Sequence, residues 1–337
     1  MDDGTLFREL RRNRHLTLQQ VADATNSVAA ISKFERGLLA IGFARFEHLL
    51  GRIEVSLEEF VFLRAQRTVQ LPAPDEANRY REGAFNSQDD PVFEALIQRM
   101  GALTSTGVDD PAMIADFDTD VARYLQPADG HVPTRRERFS ALMIQVMQAV
   151  LRGNELGRRA DQHPRIGVLM AKLNEMVRPL VSYLYSVETW GYFELYWFSV
   201  FHIFIANDTS HQLLRVALTR SEQYALFPSV QHMRVDLLFG VFTDFINARQ
   251  LQWAQAALAE ADRQIQRTGD LGHANNLLFC RGWFQIIAGD VAGGTQTCQQ
   301  AISIERILGV RSDHGYADVL RIILRNQEDG SSAAFYM

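Results

Sequence analysis

The chain reads as all-α, and three observations predict it. No alternating strand pattern runs anywhere along the 337 residues. Capping signals bracket short apolar-periodic segments near the N-terminus, and a weak repeat of helix pairs, roughly 40 residues apart, runs through the C-terminal part.

Thr17 followed by Gln20 is a capping box, in which a hydroxyl accepts from an amide three residues on and the longer side chain reaches back. It predicts a helix starting at Leu18, with Leu18, Val21 and Ala22 on one apolar stripe. Asn26 or Ser27 then caps a second short helix carrying Val28, Ile31 and Phe34. Gly37 closes it as a left-handed C-cap. Upstream, Leu6, Phe7, Leu10 and Leu16 form the apolar side of a first helix whose other side holds Arg8, Arg11, Arg12 and Arg14. Downstream, Phe43, Phe46, Leu49, Leu50 and Ile53 predict a fourth helix, and Leu57, Phe60, Val61 and Leu63 a fifth. Five short helices around one small core, with two of them joined by a tight capped turn, make a helix-turn-helix domain over residues 1–64. Glu35 is read as structural, a carboxylate that anchors the arginines of the first helix.

Residues 65–90 hold Pro72, Pro74, Gly83 and polar groups without periodicity, and read as a linker. From 91 to 337 the pattern is helical, with Pro91, Pro111, Pro133 and Pro164 each placed where a helix can begin. Within this part, Gly282 to Asp290 followed by Gly294, Cys298 and Ala301 looks like a tetratricopeptide hairpin: large residues, a tight turn, then small residues where two helices touch. Phe242, Phe245, Ile246, a turn at 248–250 and Ala254, Leu258, Ala261 repeat the arrangement. So do Phe201, Phe204, a turn at Asn207-Asp208 and Leu213, Leu214, Ala217. Stacked hairpins make a solenoid whose first helices line a concave groove. An irregular helical bundle is the alternative.

The chain is 47% hydrophobic with a net charge of −6, enough for two domains and a large core. Residues 1–45 carry seven basic side chains against five acidic ones, a local balance of +2 that leaves −8 for the remainder. Affinity for phosphate must therefore come from a local patch, which dimerisation doubles. Lys33 and Lys172 are the only lysines. Cys280 and Cys298 lie inside helical patterns without metal-ligand spacing, which predicts buried free thiols. No signal peptide is recognisable and no apolar run reaches the roughly 18 residues of a membrane span; a cytoplasmic protein without membrane contact is expected. Leu195 to Ile205, the nearest candidate, holds Ser199 and His202 and reads as a buried helix. There is no His-Glu-x-x-His, no phosphate-binding glycine loop, no Gly-x-Ser-x-Gly and no activated cysteine, so neither an enzyme nor a metal or cofactor site is expected. Trp190-Gly191-Tyr192 reads as an aromatic core stripe rather than a cofactor box.

Several blocks taken together resemble the Rgg/GadR/MutR regulators of Gram-positive bacteria: Gly4-x-x-Phe7-Arg8-x-x-Arg11, the run from Ile31 to Gly37, Leu57-Glu58-Glu59-Phe60, the run from Leu184 to Glu194, and the run from Ala301 to Gly309. The resemblance covers nearly the whole chain and is weakest across 65–165. It implies a homodimeric transcription factor on promoter DNA whose repeat domain binds a short, re-imported signalling peptide, a quorum-sensing arrangement. We expect the C-terminal helices, Val310 to Asn326, to hold the dimer.

In one respect this chain departs from the family it resembles. Where family members commonly place polar base-reading groups just after the cap, this chain has Val28, Ala29 and Ala30, which can touch thymine methyls but cannot form bidentate hydrogen bonds. Polar readout falls to Ser27, Ser32, Lys33 and Arg36, with Gln19 and the arginines Arg8, Arg11, Arg12 and Arg14 mainly on phosphates. Peptide contacts vary across the family and do not transfer. Stepping along the first helices of the hairpins instead suggests Tyr196, Ile203, His232, Asp236, Phe239, Asn275, Phe279 and Arg281, for each of which buried packing is an equal alternative. A constitutive regulator, or a helical-repeat adaptor without a peptide, is the other functional reading.

Overall fold

The computed structural model describes residues 3–13, 16–53, 55, 57, 60, 61, 64, 111–128, 133, 135–158, 163–188, 190–222, 225, 228–309 and 315–328. The chain forms two compact units, Met1–Ser105 and Thr106–Met337. The expected linker at 65–90, the helix start at Pro91, and Arg14, Glu58, Glu59 and Leu63 lie outside the described residues.

In the first unit, α1 spans Asp3–Asn13, α2 Leu18–Val21, α3 Val28–Glu35 and α4 Phe43–Arg52. Leu57, Phe60, Val61 and Arg64 are helical as the fifth expected helix requires. The capping box forms: Gln20 N–H donates to Thr17 Oγ1 at 3.3 Å, and Thr17 N–H to Gln20 Oε1 at 2.8 Å. Ser27 caps α3 by accepting from Ala30 N–H at 3.3 Å. Asn26 is buried instead, donating to the Arg45 carbonyl and accepting from Arg45 Nε, so it fastens the turn to α4. Gly37 has φ +70°, and the bonds from its N–H to Phe34 O and from Leu38 N–H to Lys33 O complete the C-cap. A file of rings, Phe7, Phe34, Phe46 and Phe60, runs through the core at centroid separations of 5.8, 5.7 and 4.9 Å. At Gly4 the backbone of α1 meets α3 so closely that a Cβ would lie 1.9 Å from the Phe34 carbonyl oxygen.

The described elements of the second unit are all helices, joined by turns: α5 Pro111–Leu125, α6 Arg135–Arg158, α7 His163–Met176, α8 Arg178–Ser186, α9 Tyr192–Phe201, α10 Asn207–Arg220, α11 Pro228–Asn247, α12 Leu251–Thr268, α13 Leu271–Ile287, α14 Val291–Leu308 and α15 Tyr316–Glu328. Two expected hairpins are present. α11 pairs with α12 through a turn in which Arg249 takes φ 57°, and α13 pairs with α14. Gly282 and Gly294 are why α13 and α14 approach so closely. A Cβ on Gly282 would meet Cys298 Sγ at 2.6 Å, and one on Gly294 the Gly282 carbonyl at 2.5 Å. The expected hairpin around Asn207-Asp208 is looser. A 3₁₀ turn at His202–Phe204 follows α9, the chain turns at Ile205 and Ala206, and Asn207 already belongs to α10. The main contacts of α9 and α10 are with α11.

Trp190 is fully buried, its indole N–H donating to the Leu184 carbonyl, while Glu194 receives the Gly191 N–H and the Tyr183 hydroxyl. This block is core. Both cysteines are free and buried. No described helix is long and apolar enough to cross a membrane. The C-terminal helix α15 lies on α13 and α14 of its own chain, burying Tyr316, Val319, Leu320 and Ile323.

Candidate functional site

The first candidate surface is the outer side of α2 and α3. Ile31, Phe34 and Glu35 are buried, which fixes the rotation of α3 and turns Val28, Ala29, Lys33 and Arg36 outward, with Ser32 half-buried. Gln19 on α2 is exposed, as is Arg12 on α1, and Arg8 is half-buried. Lys33, Gln19, Arg8 and Arg12 make no hydrogen bond or ion pair with described residues and are open to an anionic partner. Arg36 Nε turns back onto the Ser32 carbonyl at 3.1 Å.

Arg11 corrects the sequence-based assignment to phosphate. Only 6% exposed, it donates from Nε and Nη2 to the two Glu35 oxygens at 2.6 and 2.8 Å, and from Nη1 to the Leu16 carbonyl at 2.6 Å. All three groups face inward, so it positions α1 on α3 rather than reaching DNA. Glu35 anchors this one arginine.

Sequence reasoning missed the lock on the turn between α2 and α3. Asp23 accepts from the backbone of Thr25 and Asn26 and from His48 Nε2 at 2.5 Å; the His48 hydrogen bond, then that of Asn26, holds its carboxyl down at about 2. Arg52 donates to the Gln20 carbonyl at the end of α2. These partners lie 25 and 32 residues away, beyond any local spacing signal.

The second candidate surface belongs to the first helices of the repeats, where α11 packs against both α9 and α13. His232, Asp236 and Phe239 of α11 converge on His273 of α13, a residue the sequence did not single out. His273 Nε2 lies 3.0 Å from Asp236 Oδ1 and its Nδ1 3.0 Å from Asp270 Oδ2, while His232 and Phe239 flank the ring. Burial alone would lower the His273 pKa, but the hydrogen bonds and charges of Asp236 and Asp270 outweigh it and raise it. With a carboxylate on each nitrogen, the imidazolium is the form that satisfies both.

The remaining candidates scatter. Asn275 donates to the Ala301 carbonyl at 3.2 Å, leaving its buried Oδ1 without a partner. Phe279 is 0% exposed and stacks on Tyr316 of α15 at 4.4 Å, so it is a packing residue, a correction made by a helix distant in sequence. Arg281 pairs with Asp262 of α12. Tyr196 stacks on Tyr192, and Ile203 sits in the 3₁₀ turn. Among the described residues no cluster of His, Cys, Asp and Glu could hold a metal ion.

A family model described as HTH-type transcriptional regulator Rgg, C-terminal domain, matches residues 134–317, more than half of the chain. Solved structures share the fold over both chains' length. A protein of Listeria monocytogenes EGD-e superposes with a TM-score of 0.69 at 19% identity, covering 97% of this chain and 97% of that one. The SHP pheromone receptor Rgg2 of Streptococcus dysgalactiae gives 0.63 at 18%, covering 97% and 99%. PlcR of Bacillus thuringiensis, in complex with the peptide PapR7 and DNA, gives 0.51 at 12%, covering 95% and 98%. With its matched C-terminal domain and its N-terminal helix-turn-helix, the chain belongs to the family of the HTH-type transcriptional regulator Rgg.

Proposed function

We propose that this chain is a homodimeric transcriptional regulator that places α3 in the major groove of promoter DNA, its activity set by a short apolar signalling peptide on the first-helix face of the repeats. The observation that carries the DNA reading is the α2–α3 pair itself: capped at both starts, locked by Asp23 and Asn26 to α4, and carrying outward Lys33, which has no partner among the described residues. Arg8 and Arg12 take phosphates, Gln19 and Ser27 the groove edge, and Val28, Ala29, Ser32, Lys33 and Arg36 the groove floor. Two copies about 34 Å apart supply the affinity that one short helix cannot. For the peptide, the supporting observations are family membership, the pheromone receptor and peptide-bound PlcR among the fold relatives, and the surface of His232, Asp236 and Asn275.

The DNA part is tested by anisotropy with a fragment upstream of the gene. Affinity should fall steeply with salt because each neutralised phosphate releases counterions. Arg12→Ala should weaken binding to all sequences alike, and Arg11→Ala should act through stability. A salt-independent affinity, or a monomer by light scattering at micromolar concentration, counts against the proposal. The peptide part is tested by calorimetric titration with synthetic peptides encoded beside the gene, repeated with Asn275→Ala and Asp236→Ala. If no peptide binds, the constitutive regulator or adaptor becomes the better reading.

A further inference from the structure

We infer that α3 selects its DNA mainly through thymine 5-methyl groups, with Val28 and Ala29 as the residues that read them; this rests on the DNA-binding reading above. From Thr17 to Ala30, nearly every polar side chain that another regulator could turn toward base edges is already held within the fold. Thr17 and Gln20 bond each other. Asp23 is held by two backbone N–H groups and His48, Asn26 by Arg45, and Ser27 by the Ala30 N–H. Gln19 and Thr25 are the polar side chains in that stretch left without a partner among the described residues.

What α3 presents at its first turn is aliphatic. Val28 is 39% exposed and Ala29 is exposed, although the unit has a buried core in which to place such groups. The buried positions Ile31, Phe34 and Glu35 fix the helix rotation, so this surface cannot turn inward without unseating Arg11 from Glu35. A helix docked by its N-terminal turn lays these methyls on the groove floor. There the thymine methyl is the one apolar group that a base edge offers. A cytosine or purine in its place would lose water from its donor or acceptor and gain no bond, which is unfavourable. Lys33, one turn on and without a partner among the described residues, is left with Ser32 and Arg36 for polar readout.

The experiment starts from selection of the full chain on a randomised duplex library, followed by resynthesis of the retained duplex with deoxyuridine at one thymine at a time. The exchange removes the 5-methyl and leaves the hydrogen-bonding edge intact. Burial of one methyl corresponds to an affinity ratio of about four, so one or two thymines in each half-site should weaken binding about fourfold when replaced, and the others should not. Val28→Ala, at an exposed first-turn position, should abolish the penalty at one of those thymines and leave the salt slope unchanged, which separates direct contact from altered DNA shape. Deoxyuridine tolerated at every position, or a selected half-site lacking thymine, overturns this inference and leaves DNA binding standing. Retention of no duplex at low salt overturns the DNA-binding reading and this inference together.

Discussion

Replacing Glu35 by glutamine should strongly destabilise the DNA-binding unit while leaving the repeat unit intact. The Glu35 carboxylate is buried and receives two guanidinium hydrogens of Arg11, itself buried, whose third bond goes to the Leu16 carbonyl. A glutamine keeps the shape but offers one acceptor where there were two, and sets an amide N–H against the guanidinium. The cation then stays buried without its counter-charge, at a cost of about 3–5 kcal/mol. At roughly 0.05–0.15 kcal/mol per residue, the helix-turn-helix domain of about sixty residues within that unit has about 3–9 kcal/mol in all. The substitution therefore removes about half of it and raises the open population by roughly 10²–10⁴-fold. Hydrogen exchange by mass spectrometry on the full chain reads this directly, with peptides from α1 and α3 compared against α13 and α14 as internal reference. The pair Arg11→Met with Glu35→Leu should recover most of the protection, because apolar replacements of similar volume are commonly neutral or stabilising. Unchanged exchange in α3 of the Glu35→Gln protein would refute the reasoning.

Gly282→Ala should push α14 away from α13 at a cost of about 1–3 kcal/mol. Adding Cys298→Ala should relieve only part of that, since a Cβ at 282 also meets the Gly294 carbonyl and the Cys298 backbone nitrogen, each at 2.7 Å; full recovery of thermal stability would show that the sulfur was the sole obstacle. Burial pushes both thiols up, Cys298 to about 12, so iodoacetamide at pH 8 should leave the native chain unlabelled and modify both in urea. Rapid native labelling would place them at the surface. His273 gives a pH dependence with a definite sign. Its pKa is raised by Asp236 and Asp270, so its contribution is complete below the ordinary histidine value near 6.5 and is lost as pH climbs through the higher folded value. Asp270, held below the usual carboxylate range, loses its share only at the acid end. Protection of α13 should therefore decline above pH 6.5, and His273→Gln should flatten that decline; an identical profile in the variant would assign the titration elsewhere.

What the sequence disclosed were features that act within a few residues. The capping box at Thr17 and Gln20, the Ser27 cap and the left-handed Gly37 are set by neighbours three or four positions away, and each formed as expected. The α13–α14 hairpin was legible because small residues at 282, 294, 298 and 301 must fall where two helices touch. The α9–α10 pair was read less well. Its apolar spacing continues through His202, where a 3₁₀ turn takes over from the helix and shifts the bend to Ile205 and Ala206.

A binding surface is harder to read, because it consists of whatever folding leaves unused. Arg8, Arg11 and Arg12 look alike along α1, and only Glu35, 24 residues away, removes Arg11 from the set. Asn26 reads as a candidate cap, and Asp23 gives no local signal of its own, until Arg45 and His48 arrive from α4. The same subtraction acts in the repeats. Phe279 is taken by Tyr316 and Arg281 by Asp262, whereas Asn275 keeps a buried oxygen without a donor. Local signals place each of these on a helix or in a turn, but which of them remain for a partner depends on contacts between elements. That is why specificity for DNA should be sought at the residues left over, Val28, Ala29 and Lys33, and specificity for peptide at His232 and Asp236, which stay exposed although they pair with Asp270 and His273, and at the half-buried Asn275.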